Sequence, residues 1–157
     1  MLLWIALAFV IAPHATHLPP WVTAGAAVLF VWRAWLVRTR RRLPSRPLLL
    51  ALTLAAVAAV GFSFHTIFGR DAGLALLVLL ASLKLLETRG SRDGFVLVLL
   101  GYFLVITHFL FSQTFFVALH AFLSAWLFTA ALAGLEHPGA AHRRLHLRLA
   151  GVLLVEA

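Results

Sequence analysis

The chain has 157 residues, of which 63% are hydrophobic and 11% charged, with a formal net charge of +8 and no cysteine. Ordinary soluble domains hold roughly 45–50% apolar and about 25% charged residues, so a water-soluble core of this length does not absorb such an excess. The lack of cysteine excludes disulfides, thiolate metal sites and a cysteine nucleophile from these residues. The basic residues lie between apolar runs rather than on a solvated face, which argues against nucleic acid as a partner.

The apolar runs are rich in Leu and Ala without strict polar alternation, so they predict helices rather than barrel strands. The first, Leu2 to Ala12, is stopped by Pro13. At 1.5 Å per residue it covers only about half of a roughly 30 Å hydrocarbon core, so it is expected to extend past Pro13 or to begin upstream of Met1. It lacks the Lys or Arg of a signal-peptide n-region, and is kept as a helix. A polar turn, His14 to Pro20, leads to the second run, Trp21 to Val37, in which Trp21, Trp32 and Trp35 suit an interfacial position. Arg38, Arg40, Arg41, Arg42 and Arg46 follow, with Pro44 and Pro47 fixing a loop.

The third run, Leu48 to about Phe68, carries Ala51, Ala55 and Ala59 at a spacing that suits close helix packing. After Gly69 and Arg70 the fourth spans Asp71 to Leu86, with Asp71 placed as an N-cap. Thr88 to Gly94 predicts a turn, Phe95 to Phe111 a fifth helix, Ser112 to Thr114 a tight turn and Phe115 to Leu135 a sixth helix. A polar link, Glu136 to Arg144, precedes Leu147 to Ala157, the expected start of a seventh span. The fold class expected is all-α: a polytopic transmembrane helix bundle, about six helices plus the start of a seventh, forming one domain over residues 1–157 with the lipid bilayer as its partner. Oligomeric state is not specified by the sequence.

Cytoplasmic loops collect Lys and Arg. Alternate loops here carry the five arginines Arg38 to Arg46, then Arg89 and Arg92, then Arg143 and Arg144 with Arg148 just beyond, whereas the intervening loops carry only Arg70. This asymmetry predicts a cytoplasmic N-terminus and a seventh helix that delivers the next segment to the outside.

His65, His108 and His120 all fall toward the outer ends of their helices in this topology, and His14 and His17 lie on the same side. Neutral imidazoles at one depth suit a metal or haem iron. Interhelical hydrogen bonding is the plainer expectation, because no two of the first three share a helix at ligand spacing. Arg33, Lys84 and Glu87 sit in or beside spans, where a charge always needs an explanation. Lys84 and Glu87, three apart, are expected to pair at the cytoplasmic boundary, where a long basic side chain snorkels cheaply. Arg70 and Asp71, with Ser112 and Gln113, are candidate contacts on the outer face.

The sequence has no H-E-x-x-H, G-x-S-x-G, phosphate-binding loop or dinucleotide fingerprint. No catalytic, cofactor-binding or metal-binding residue is therefore assigned, and no cofactor is expected. A small transporter is an alternative, weakened by the lack of a mid-membrane charge or a Gly/Pro-broken helix pair. A haem- or metal-binding subunit using His65, His108 and His120 is another.

Three segments, GRDAG at Gly69 to Gly73, LKLLETRGSRD at Leu83 to Asp93 and FLFSQT at Phe109 to Thr114, resemble in order and spacing the N-terminal membrane domain of bacterial TgpA-type transglutaminase-like proteins. The surrounding helices and the PHATHLPPW turn fit the same pattern, so the resemblance covers nearly the whole chain. It implies location in the bacterial inner membrane and a following periplasmic transglutaminase-like domain with a Cys, His and Asp triad, then a further helix and tail. None of that triad maps onto this chain. The resemblance implies a non-catalytic anchor or scaffold module, a fragment or detached membrane domain of a protein-glutamine gamma-glutamyltransferase-type protein, partnered by the periplasmic domain of the same polypeptide.

Overall fold

The computed structural model describes residues 2–16, 18–41, 43–65, 69–109, 111 and 114–136. Among them run α1 (Leu2–Ile11), a 3-10 turn (Ala12–Thr16), α2 (Pro20–Arg38), α3 (Arg46–Phe64), α4 (Arg70–Glu87), α5 (Ser91–Phe109) and α6 (Phe115–Glu136). No strand occurs among the described residues. The expected seventh span, Leu147 to Ala157, lies outside them.

Local chemistry sets the helix ends. Pro20 and Pro47 fall in the first turns of α2 and α3, where the missing N–H has no intrahelical partner to lose. α3 stops at Phe64, short of the expected Phe68, because His65 takes the left-handed conformation (φ 53°). Histidine is among the non-glycine residues enriched there. Asp71 is not the N-cap of α4. Extended Gly69 supplies the cap backbone and closes the first turn through Gly73 N–H to Gly69 C=O (2.7 Å), which leaves Asp71 within that turn, favourably placed for the helix dipole. α5 starts at Ser91 rather than Phe95, with Gly94 N–H donating to Gly90 C=O (3.2 Å). The expected polar turn after α1 is partly helical, and His14 within it is fully buried.

The helices form two compact units, one of α1, α5 and α6 and one of α2, α3 and α4. In the first, α6 packs against both α1 and α5, which also touch each other. Leu7, Leu97, Leu104 and Phe128 are its large buried side chains. Gly94 and Gly101, two helical turns apart and so on one face of α5, permit the approach of α6. A Cβ on Gly101 would lie 2.2 Å from Cζ of Phe128, and one on Gly94 2.7 Å from Cδ1 of Leu135.

In the second unit α4 packs against both α2 and α3 and is mostly buried. Leu36, Leu49 and Leu86 bring the three helices together, with Leu29 and Trp32 against them. The Ala51, Ala55, Ala59 ladder of α3 is exposed rather than packed, since the helix buries Leu49 and Val60 instead.

Pro20–Arg38, Arg46–Phe64, Ser91–Phe109 and Phe115–Leu135 are each long and apolar enough to cross a membrane, with mean hydropathies of 1.4, 2.1, 1.5 and 1.9. Nineteen residues of α3 extend about 28 Å, close to the roughly 30 Å of a hydrocarbon core. Their outward faces are apolar: Phe62 of α3 is 83% exposed and Phe116 of α6 79%.

Gly101→Ala is expected to destabilise the first unit by about 1–3 kcal/mol through overpacking against Phe128. Added to Phe128→Leu, the change should cost less than the two single variants summed, because the smaller side chain makes room. Thermal unfolding in detergent measures both, and strict additivity would show that the close approach is not a constraint.

Candidate functional site

At one end of the first unit, His108 from the last turn of α5 and His120 from the start of α6 have ring centroids 5.4 Å apart. The His120 ring stacks on Phe9 of α1 (4.4 Å, 19° between planes), and its Nε2 lies 3.1 Å from the Phe9 carbonyl oxygen. A carbonyl only accepts, so this contact selects the tautomer with hydrogen on Nε2. His108 is buried beside it. The two imidazoles thus join α1, α5 and α6, and a ligand role for His120 through Nε2 would cost the carbonyl bond. His65 belongs to the second unit, exposed at the end of α3. Among the described residues no group of three or more His, Asp or Glu converges to hold a metal.

Sequence reasoning missed a polar link midway along the same unit. The Tyr102 hydroxyl of α5 lies 2.7 Å from Thr129 Oγ1 of α6. Thr129 spends its own hydrogen on the Ala125 carbonyl (2.8 Å), so Tyr102 donates across the interface. Tyr102 is the chain's one tyrosine, and a lone phenol amid apolar helix residues was the available signal.

In the second unit, Trp21 Nε1 at the start of α2 donates to Ser63 Oγ near the end of α3 (3.2 Å). Arg70 and Asp71 open α4 with Nε to Oδ1 at 3.8 Å, their side chains 58% and 55% exposed. Solvent screening leaves such a pair little weight in stability, and both charged heads face outward. Ser112 and Gln113, the other two candidate contacts, lie outside the described residues.

The opposite end of this unit is held by charge. Arg33 of α2 donates from Nη2 to the Thr88 carbonyl (2.8 Å), the C-cap of α4. A guanidinium on the last carbonyls of a helix is favoured by both hydrogen bonding and the helix dipole. Thr88 in turn bonds the Lys84 carbonyl through Oγ1 (2.8 Å), and Lys84 Nζ meets Glu87 Oε2 at 3.0 Å. Arg89 donates from Nη2 to the Pro44 carbonyl (3.1 Å), tying the end of α4 to the α2–α3 loop.

These features lie in the segments already singled out by their order in the sequence: GRDAG caps and opens α4, and LKLLETRGSRD closes α4 and opens α5. The sequence profile of the TgpA N-terminal domain matches residues 2–157. The chain belongs to this family. It is 40% identical over 159 aligned positions to the protein-glutamine gamma-glutamyltransferase of Pseudomonas aeruginosa, a match covering 99% of this chain and 24% of that protein. The chain therefore spans about a quarter of that relative's length. No solved structure matches it.

In this TgpA N-terminal domain the bond from Arg33 to Thr88 fastens α2 to the end of α4. Arg33→Met keeps the apolar stem but removes the donor to Thr88, and is expected to cost about 1–3 kcal/mol. Detergent unfolding measures the loss, and an unchanged midpoint would show that water replaces the guanidinium without penalty.

Proposed function

We propose that this chain is the membrane-embedded module of a transglutaminase-like protein, multi-pass in a bacterial inner membrane. It anchors a periplasmic catalytic domain of the protein-glutamine gamma-glutamyltransferase type and performs no catalysis alone. The observation that carries this reading is the pairing of two facts: the TgpA N-terminal domain accounts for residues 2–157, while the match takes in only 24% of a relative that bears an enzyme's name. Among the described residues four helices, α2, α3, α5 and α6, are long and apolar enough to cross a membrane and give the anchor its physical basis. An alternating topology needs α4 to cross as well, with its charged residues Arg70, Asp71, Lys84 and Glu87 at its two ends. The alternation of arginine-rich and arginine-poor loops supports a cytoplasmic N-terminus, which requires α1 to cross together with the 3-10 turn that prolongs it. In this orientation Lys84 and Glu87 pair at the cytoplasmic boundary.

Orientation is testable cleanly because the chain contains no cysteine. Arg70→Cys introduces a thiol at an exposed position, and Gly90→Cys does so where an added Cβ meets nothing within 4 Å. A membrane-impermeant maleimide added to spheroplasts is expected to label position 70 and to reach position 90 only after permeabilisation. The reverse pattern would invert the topology, and equal labelling of both would argue against membrane crossing between them.

Arg70, Asp71, Ser112 and Gln113 then lie on the outer side, in reach of the catalytic domain or of an envelope substrate. Arg70→Glu in the full-length polypeptide is expected to lower its transglutaminase-type activity several-fold while leaving membrane levels unchanged. Full activity in that variant would remove Arg70 from the contact surface.

A further inference from the structure

The turn that closes α2 is set by its backbone hydrogen bonds. Thr39 N–H donates to Trp35 C=O (2.9 Å), Arg40 N–H to Val37 C=O (3.4 Å) and Arg41 N–H to Leu36 C=O (3.1 Å). The last bond reaches back over the helix end in the manner of a Schellman closure, which requires a left-handed residue at Arg40 (φ 49°). Glycine takes this conformation freely and arginine does not. An arginine persists where the surroundings over-determine it, and such outliers gather at ligand sites. Arg41 is placed as well, its guanidinium 5.1 Å from the centre of the Trp35 ring. From the far side, the bond of Arg89 to the Pro44 carbonyl closes the loop.

Arg40, Arg41, Leu43 and Arg89 line an open surface pocket of about 440 Å³, and no acidic side chain stands among these lining residues. That volume falls within the range of small-molecule sites, roughly 300–1,000 Å³. The flanking helices are the two with the least buried apolar windows, 22% for α2 and 11% for α3. Trp35 and Val37 on one, and Leu48 and Leu50 on the other, are exposed apolar side chains near the loop, with Val31 about two turns further back along α2.

We propose that this pocket binds the phosphodiester headgroup of an anionic phospholipid, with its acyl chains lying along the exposed faces of α2 and α3. The arginines supply planar donors that match phosphate oxygens, Leu43 meets the glycerol, and the apolar helix faces favour a lipid over a free anion. The assignment rests on the membrane reading above. It differs from general attraction of basic loops to an anionic leaflet in naming which arginines matter.

The test uses the intact polypeptide that carries this chain, purified in mixed micelles of phosphatidylglycerol and phosphatidylcholine, with native mass spectrometry counting the retained lipid. Wild type is expected to retain phosphatidylglycerol preferentially. Arg40→Gly, which suits the left-handed backbone better than arginine, and Arg41→Gln should each lower that enrichment by about tenfold or more, the loss expected for one hydrogen bond to a charged group. Arg38→Gln, on the same helix end but outside the pocket, should change it less than twofold. An equal loss in all three variants would overturn the site in favour of diffuse charge, as would a wild type without lipid preference. Displacement of the lipid by millimolar inorganic phosphate would overturn the lipid assignment in favour of a soluble anion. Alkaline carbonate extraction separates the two levels: a protein released by carbonate fails the membrane reading and the proposal with it, whereas one that stays inserted without enrichment fails only the proposal.

Discussion

Apolar side chains in this chain outnumber the interior available to cover them, and the rest of the structure follows from that imbalance. α3 is apolar all round yet buries little beyond Leu49 and Val60, while Leu50, Leu54 and Phe62 point outward. A helix of this kind is stable where its surroundings are themselves apolar. In such surroundings every backbone amide must be satisfied within the chain, which helices do locally. The side-chain hydroxyls obey the same rule. Ser82 returns to Val78 C=O, Ser124 to His120 C=O and Thr53 to Leu49 C=O, so that polar atoms on apolar helices are spent on their own backbones.

Where exterior and interior are equally apolar, burial gives little reason for one helix to prefer another, and shape and sparse polar bonds must supply it. The first unit uses both. Gly94 and Gly101 open a seam on α5 into which Leu135 and Phe128 fit, and Tyr102 bonds Thr129 across it. Its α1 is only ten residues long, too short to span by itself, and it is fastened by the stacked and hydrogen-bonded contact of His120 with Phe9. The second unit relies more on side-chain packing around α4, with Arg33 and Trp21 fixing opposite ends of α2.

Hydropathy made the helices legible because most runs are long, and two of the segments that carried the family resemblance, GRDAG and LKLLETRGSRD, cap, close and open helices; half of the third, Phe109 to Thr114, lies outside the described residues. The ends were less legible. The stop at His65 is a backbone choice with no strong residue signal, and the start of α5 was hidden because Ser91 to Gly94 has the polar, glycine-containing composition of a turn. In an all-apolar helix, periodicity has no contrast, so the Ala51, Ala55, Ala59 spacing suggested a seam that α3 places outside. The two glycines of α5 on one face carried the real seam signal. Depth arguments brought His108 and His120 to one level, but the partner of His120 is a main-chain carbonyl, which no side-chain pattern reveals.

The arginines near the ends of α2 and α4 divide by what their surroundings demand. Arg33 lies within a helix and is partly buried, and its Nε is buried without a hydrogen-bond partner among the described residues. Such a cation is tolerable only because Thr88 C=O receives Nη2, so its geometry is dictated by the fold. Arg40 and Arg41 are exposed, and topology alone would be served by any basic residue in the loop. A left-handed backbone at Arg40 and a ring under Arg41 are more than topology requires. Charge count explains why arginines are in this loop; it does not explain the left-handed backbone at Arg40 or the approach of Arg41 to the Trp35 ring, and the proposed lipid site is a reason for both.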